Sequence, residues 1–244
     1  MRMRAQLDRL PYAVRHLSGV DGVARWDELA PSVDLAAFRR NTGREVMPGE
    51  IGAYHAHLEA WRALVESGAE VGMILEDDVV FHADFTDAVA AALRVQQEWD
   101  FLKLNRIRAK VPVTQGTLER WRLNAYVGPA TGLGAYLIKA DLAARLMSAL
   151  LPITRPIDQE LDRIHIHDFR HFGLEPFPSH VDDGGFSTIT GEAFTAVHKF
   201  PWYRRLPVHG VRATNSFAKL FHLARRGRLL PRRGQLLDGP AAHR

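Results

Sequence analysis

An α/β domain, with a mixed, mostly parallel sheet flanked by helices, is the fold this sequence predicts. Three observations point to it. Short continuous apolar runs such as "VGMIL" (71–75) read as strands buried on both faces. Longer segments between them place apolar residues at i, i+3, i+4 and i+7, the period of an amphipathic helix. The two kinds of segment alternate along the chain, and that alternation builds a sheet with helices on its faces.

The elements follow in order. Met3, Leu7 and Leu10 stand at helical spacing; Pro11 then leads into "YAVRHL", which reads as a strand. "SGVDG" is a turn with two glycines. Residues 22–45 are polar and irregular, with a short helix around Asp34 to Arg40. The segment 48–68 is a clear helix, with Ile51, Tyr54, Leu58, Trp61, Leu64 and Val65 on one face. Pro48 and Gly49 open it, Glu50 suits its positive end, and Gly68 stops it. After 71–75, "DFTDAVAAALRVQQEW" is a second helix with Asp84 as its N-cap, and "DFLKLN" is another short strand. Residues 106–125 are charged and without period, a loop containing a hairpin. "TGLGAYLIKADLAARLMSALL" passes from a Gly-rich turn through a strand at 135–138 into a helix. "RPIDQELDRI" starts another helix, and "LEPFPSHV" is a last strand or extended edge.

Composition narrows the functional classes. Hydrophobic content of 46% and charged content of 25% are those of a soluble globular protein. No apolar run is long enough to span a membrane. The first ten residues lack the apolar core of a secretory signal, which fits a cytoplasmic protein. The absence of cysteine excludes disulfides and thiolate metal sites. Charge is uneven: ten Lys/Arg face one acid, Asp238, from Pro201 onward. The expected division is therefore a domain at 1–200 and a basic tail at 201–244, amphipathic or disordered.

The chemistry centres on Glu76, Asp77 and Asp78, three acids that end an apolar strand. In open α/β sheets ligands sit beyond the carboxyl ends of strands. Alternation sends 76 and 78 to one side and 77 to the other. Clustered carboxylates repel unless a cation or donors compensate, and Mg²⁺ or Mn²⁺ does so while keeping ligand positions for diphosphate oxygens. The plainer alternative is that the acids cap a helix or meet a lysine.

The helix "GEIGAYHAHLEAW" followed by "LEDDV" resembles the signature of glycosyltransferase family 25. The matching residues are Gly49, Glu50, Ile51, Gly52, His57 and Trp61, then Leu75 to Val79. "WDFLKLN", the Gly132 turn with "AYLI", and "PID" at 156–158 resemble later blocks. The resemblance implies a GT-A fold that binds a UDP-sugar. It makes Asp78 the ligand of Mn²⁺ or Mg²⁺, with Glu76 and Asp77 supporting the donor, and implies inversion at the anomeric carbon. Members usually begin with an apolar strand that helps hold the uridine. This chain begins at about the helix after it, so that strand is expected to be missing.

Direct displacement needs a general base from another segment, and Asp158 is the candidate; an N-cap is the alternative. His57, four residues before Trp61, is expected to be structural or to orient substrate. His180 is a candidate further metal ligand. "HIHDFRH" matches no zinc pattern. Lys103 and Asn105, at a strand end, can reach phosphate or sugar or remain solvated. Gly132 and Gly134 can bring backbone close to the donor sugar.

In the tail, Phe217, Leu220, Phe221 and Leu223 lie among Lys219, Arg225, Arg226 and Arg228, as in a basic helix lying on an anionic membrane. Nucleic acid is not an expected partner. The leading expectation is a metal-dependent hexosyltransferase, with galactose as the expected sugar, that acts on a saccharide or glycolipid acceptor of a bacterial surface glycan. The alternatives are a catalytically silent relative acting in binding or assembly, and a metal-dependent nucleotide or phosphodiester hydrolase.

Overall fold

A computed structural model describes residues 2–105, 107–182, 200–232 and 234–236. The helices are α1 (Arg2–Leu7), α2 (Trp26–Leu29), α3 (Leu35–Thr42), α4 (Pro48–Ser67), α5 (Phe85–Arg94), α6 (Ala140–Ala149), α7 (Ile157–Leu161), α8 (Ile164–His167) and α9 (Leu206–Arg225). The strands are β1 (Val71–Leu75), β2 (Val79–Phe81), β3 (Phe101–Lys103), β4 (Arg108–Ala109), β5 (Pro112–Leu118), β6 (Trp121–Tyr126), β7 (Ala130–Thr131), β8 (Ala135–Lys139), β9 (His171–Glu175) and β10 (Ser179–Val181).

The central sheet has six strands in the order β1-β8-β3-β9-β6-β5. Helices flank it, as expected, but the strand directions correct the sequence-based reading. Only β3 and β9 run parallel; the other four neighbouring pairs are antiparallel. The reason is connectivity. β8 inserts antiparallel between β1 and β3, and the hairpin expected within 106–125 is the long β5–β6 pair, which joins the sheet at its other edge. A second correction concerns β1. It is an edge strand and only half-buried, not a central strand covered on both faces. "YAVRHL" forms no strand: residues 13–20 have no regular structure, and Val14 is exposed. "LEPFPSHV" divides into the end of β9 and β10, because Pro176 and Pro178 cannot donate to a ladder.

Helix α4 forms as its sequence predicts. Pro48 occupies its start, Glu50 lies in its first turn, and Gly68 ends it in the left-handed conformation (φ 73°). It buries Ile51, Tyr54, Leu58, Trp61 and Leu64, while Val65 turns outward. Gly52 is required by a close approach: a Cβ there would lie 2.3 Å from the Val20 carbonyl oxygen. The loop before α2 therefore rests directly on the first turns of α4. The core adds Trp99, Trp121, Phe101 and Tyr136, all essentially inaccessible. Each large side chain so buried contributes roughly 2 kcal/mol. Asp84 precedes α5, but its carboxylate pairs with Arg120 (2.5 Å) and makes no cap bond.

The outer edge of β5 is covered by the chain's own C-terminal part. Arg232 and Leu236 donate to Thr114 and Thr117, and Thr117 donates to Gly234. Two small ribbons, β2 with β10 and β4 with β7, stand beside the sheet. α9 packs against α3 and α8.

Candidate active site

The ends of β1 and β3 and the start of β8 meet at one margin of the sheet. Leu75 pairs with Ala135, and the Glu76 amide donates to the Gly134 carbonyl (2.8 Å). The chain then turns through Asp77 and Asp78 into β2. The three acids thus follow the carboxyl end of β1, which is an edge strand and not the central one the strand-end argument assumed, with Asp77 exposed and Glu76 and Asp78 half-buried.

Glu76 is held by a chain of side chains reaching into the core. Its Oε1 lies 3.3 Å from His57 Nε2. His57 Nδ1 lies 2.9 Å from the Tyr136 hydroxyl, and Trp61 Nε1 donates to that same oxygen (2.9 Å). The direction of the chain follows from its ends. An indole nitrogen only donates and a carboxylate only accepts. With a neutral His57, Tyr136 O–H then donates to Nδ1, and Nε2–H donates to Glu76. Burial raises the Tyr136 pKa well above the ordinary phenol value, so the hydroxyl keeps its proton. His57 and Trp61 of the helix signature therefore orient the first acid of the next motif. Tyr136 was missed in the sequence; the available signal was a polar-tipped aromatic in an apolar strand, which needs a partner when buried.

The loop after β6 is gripped from two sides. Lys103, 1% exposed, donates to the carbonyls of Thr131 (3.1 Å) and Gly132. Asp158 accepts from the Gly132 amide (3.1 Å), and Asp162, one helical turn on, accepts from the Ala130 amide (3.0 Å). Gly132 has φ 88°, and a Cβ would meet Ile107 at 2.6 Å, so only glycine fits. Lys103, a candidate for phosphate or sugar, thus turns its ammonium to backbone carbonyls. Burial lowers its pKa to about 8, against the opposing pull of Asp158, Asp162 and Glu76. One buried cation therefore lies within electrostatic reach of the acidic turn, the Gly132 loop and α7.

Asp158 lies in the first turn of α7 and not at its N-cap, which is Pro156. Its second oxygen accepts from the neighbouring Gln159 amide (2.7 Å). Burial raises its pKa, although the Gly132 amide and Lys103 oppose this. Glu50 is paired through both carboxylate oxygens with Arg44. Its pKa is raised by burial, with the nearby charge of Asp158 adding to the effect. The helix signature so contributes both Glu50 and His57 to the surroundings of the site, while Gly49 belongs to the first turn of α4.

Asp78 leads into the β2–β10 ribbon. The pairing Val79↔Val181 and Val80↔His180 continues with the Asp182 amide donating to the Asp78 carbonyl (2.9 Å). Asp78, His82, His180 and Asp182 therefore share one ribbon face. His180 is exposed, stands opposite Val80, and lies 3.0 Å from His82 through Nδ1 and Nε2. Asp182, missed in the sequence, is the residue opposite Asp78. Among the described residues no three His, Asp or Glu side chains gather to enclose a metal ion. Partly exposed carboxylates at a strand end, Glu76 and Asp78 half-buried and Asp77 exposed, nonetheless suit the open kind of Mg²⁺ or Mn²⁺ site, in which one or two carboxylates are completed by phosphate oxygens. Asn105 is fully buried, accepts from the Ala135 amide (3.3 Å) and leaves its Nδ2 unbonded; it faces no solvent.

"HIHDFRH" is no cluster. His167 binds Glu160 (2.9 Å), and His171 lies buried in β9.

Comparison with known proteins places the sequence among glycosyltransferases. The chain is 24% identical over 170 residues to procollagen galactosyltransferase 1 of Danio rerio, across 61% of this chain and 28% of that protein. It is 26% identical over 170 residues to procollagen galactosyltransferase 1-B of Xenopus laevis, with the same coverage. It is 22% identical over 204 residues to procollagen galactosyltransferase 2 of Homo sapiens, across 73% of this chain and 33% of that protein. The aligned part spans about a third or less of these relatives. Residues 2–161 match the family model described as glycosyltransferase family 25 (LPS biosynthesis protein). That match takes in the α4 signature, the acidic turn, the Gly132 loop and Asp158, and the chain belongs to glycosyltransferase family 25.

Proposed function

We propose that this protein transfers a hexose, galactose first among the candidates, from a UDP-sugar to a saccharide acceptor of a bacterial surface glycan such as lipooligosaccharide. One observation carries the reading: the acidic turn, the Gly132 loop and Asp158, far apart in sequence, converge around the buried Lys103. The names of the relatives support galactose, and the family description supports a lipopolysaccharide context. We take residues 1–200 as the transferase unit of GT-A type, residues 201–244 as a basic appendage, and the cytoplasm as the compartment.

In this reading Asp78 holds Mn²⁺ or Mg²⁺, with His180 as a second ligand from the same ribbon face. A divalent cation supplies positive charge against the charge that grows on the leaving diphosphate. Glu76, oriented by His57, and Asp77 contact the donor nucleotide. The Gly132 backbone, fixed by Lys103 and Asp158, lies against the donor sugar. Asp158 takes the proton of the acceptor hydroxyl as that oxygen bonds to the anomeric carbon; the bond to the UDP oxygen breaks, and the electron pair leaves with UDP. Displacement from the opposite side inverts the anomeric carbon. A raised pKa makes Asp158 a stronger base than an ordinary carboxylate.

The test is UDP release from UDP-galactose with Mn²⁺, with and without a saccharide acceptor. Acceptor-stimulated release is expected, and Asp78→Ala should lower it by at least about a hundredfold without moving the melting temperature. Full activity in Asp78→Ala, or release indifferent to acceptors across a donor screen, would refute the reading.

The two amide bonds of Asp158 favour a second role for that residue, anchor of the Gly132 loop. Asp158→Asn separates the roles. Loss of kcat with donor affinity retained marks the base; loss of donor affinity and stability together marks the anchor.

A further inference from the structure

We infer that the outward face of α9 docks on an anionic lipid surface. This rests on the outer surface of the molecule and not on the transferase reading.

α9 is 20 residues long and buries one side, with Val208, Lys219 and Leu223 turned inward. Its opposite side is also apolar. Leu206, Phe217, Leu220 and Phe221 recur at intervals of 11, 14 and 15 residues from the first, which at 3.6 residues per turn is a single stripe. Gly210, Ala213 and Ala224 fill the same stripe between them, so no charge interrupts it. The large members are well exposed: Leu206 60%, Phe217 73% and Phe221 64%. Just before the helix, Trp202 (71%) and Tyr203 are exposed too. Aromatic rings with polar tips beside an apolar stripe favour the boundary between lipid and water.

Charge decides the occupant. From Pro201 to Leu237 there is no Asp or Glu. Arg212 and Arg225 are exposed on the helix, and Arg225 lies over the Phe221 ring (5.8 Å). Arg40, with Phe200, Tyr203 and Pro207, lines a shallow cleft beside the first turn, together with Arg39, which pairs with Glu45 (2.8 Å). A second copy of the chain would set this positive surface against itself, whereas phosphate headgroups complement it. Among the described residues no helix is long and apolar enough to cross a membrane, so the contact is one of lying on the surface.

The experiment is co-sedimentation of the full chain with vesicles of phosphatidylglycerol mixed with phosphatidylcholine, and with vesicles of phosphatidylcholine alone. Binding is expected to the former only, and to weaken with salt. The double substitution Phe217→Glu/Phe221→Glu should reduce partitioning by more than about tenfold. Arg225→Ala and Arg212→Ala should each reduce it about fivefold. A measurement on the unaltered chain stands beside these: brominated lipid should quench tryptophan fluorescence, and Trp202→Phe should abolish the quenching. Equal binding to neutral vesicles, no binding to either, or unchanged partitioning of the double variant overturns the proposal. So does a concentration-dependent dimer that the same double variant abolishes.

Discussion

Helices α4 and α9 have the same length, 20 residues, and handle their large apolar side chains in opposite ways. α4 sends Trp61, Tyr54 and Ile51 into the core until almost none of their surface remains. α9 turns Phe217, Phe221 and Leu206 outward and places a lysine inward, where Lys219 meets Asp162 (2.6 Å) and the Gly128 carbonyl (2.8 Å). Apolar periodicity thus announces a buried face without saying what buries it. In α4 the covering partner is the protein itself. In α9 the inner side is anchored partly by an ion pair, and the apolar stripe is left uncovered by the described residues.

The largest expected effect tests the α4 side of this contrast. Trp61→Ala should destabilise the protein by about 3–5 kcal/mol in denaturant unfolding, since it opens a cavity and removes the N–H that binds Tyr136. Lys219→Ala should follow at about 3 kcal/mol, because it leaves Asp162 without its buried partner. A negligible loss there would mean that α9 is held by Val208 and Leu223 alone.

Tyr136→Phe should cost about 1–3 kcal/mol, since the buried Trp61 N–H loses its acceptor and His57 its donor. It should also weaken donor binding by releasing Glu76, a split that a purely structural role for the tyrosine would not produce.

Lys103 gives a pH signature. Its pKa is about 8 in the folded chain, below the ordinary 10.5. Between those values the unfolded chain binds more protons, so stability rises with pH there. The cost of burying the ammonium is fully present below about pH 8 and is relieved toward pH 10.5. Measured against Lys103→Met, which lacks the linkage, the wild type should gain stability across that window. A flat difference would mean that Lys103 keeps its proton.

The smallest effect is expected on the outer face of α9, where Phe217→Ala should change stability by less than about 0.5 kcal/mol. A larger loss would show that the stripe is covered within the folded protein and would remove the contrast between the helices.

Much of this was legible in the chain itself. α4 was readable from Pro48 to Gly68 because its apolar period, its opening proline and its closing glycine agree. The acidic turn was readable as the end of a strand, because three carboxylates abruptly close an apolar run. Strand direction was not readable. Periodicity reports which side of a strand is apolar and says nothing about whether its neighbour runs up or down, so the antiparallel insertion of β8 beside β1 escaped it. The β5–β6 hairpin was legible as a hairpin, but its place in the central sheet was not, since its polar residues are paired across strands and with Arg232, Gly234 and Leu236, contacts that have no local pattern.

The sequence by itself determined α4, α5 and α6, the acidic turn and the Gly132 loop, because each rests on local geometry or on charge density within a few residues. Only the tertiary structure decided which of these meet. The hold of His57 on Glu76 and the grip of Lys103 and Asp158 on Gly132 join positions 19 to 29 residues apart. Lys219 and Asp162 are joined across 57 residues. Such partnerships arise because a buried polar group must find a donor or acceptor wherever packing brings one, and packing is a property of the whole chain.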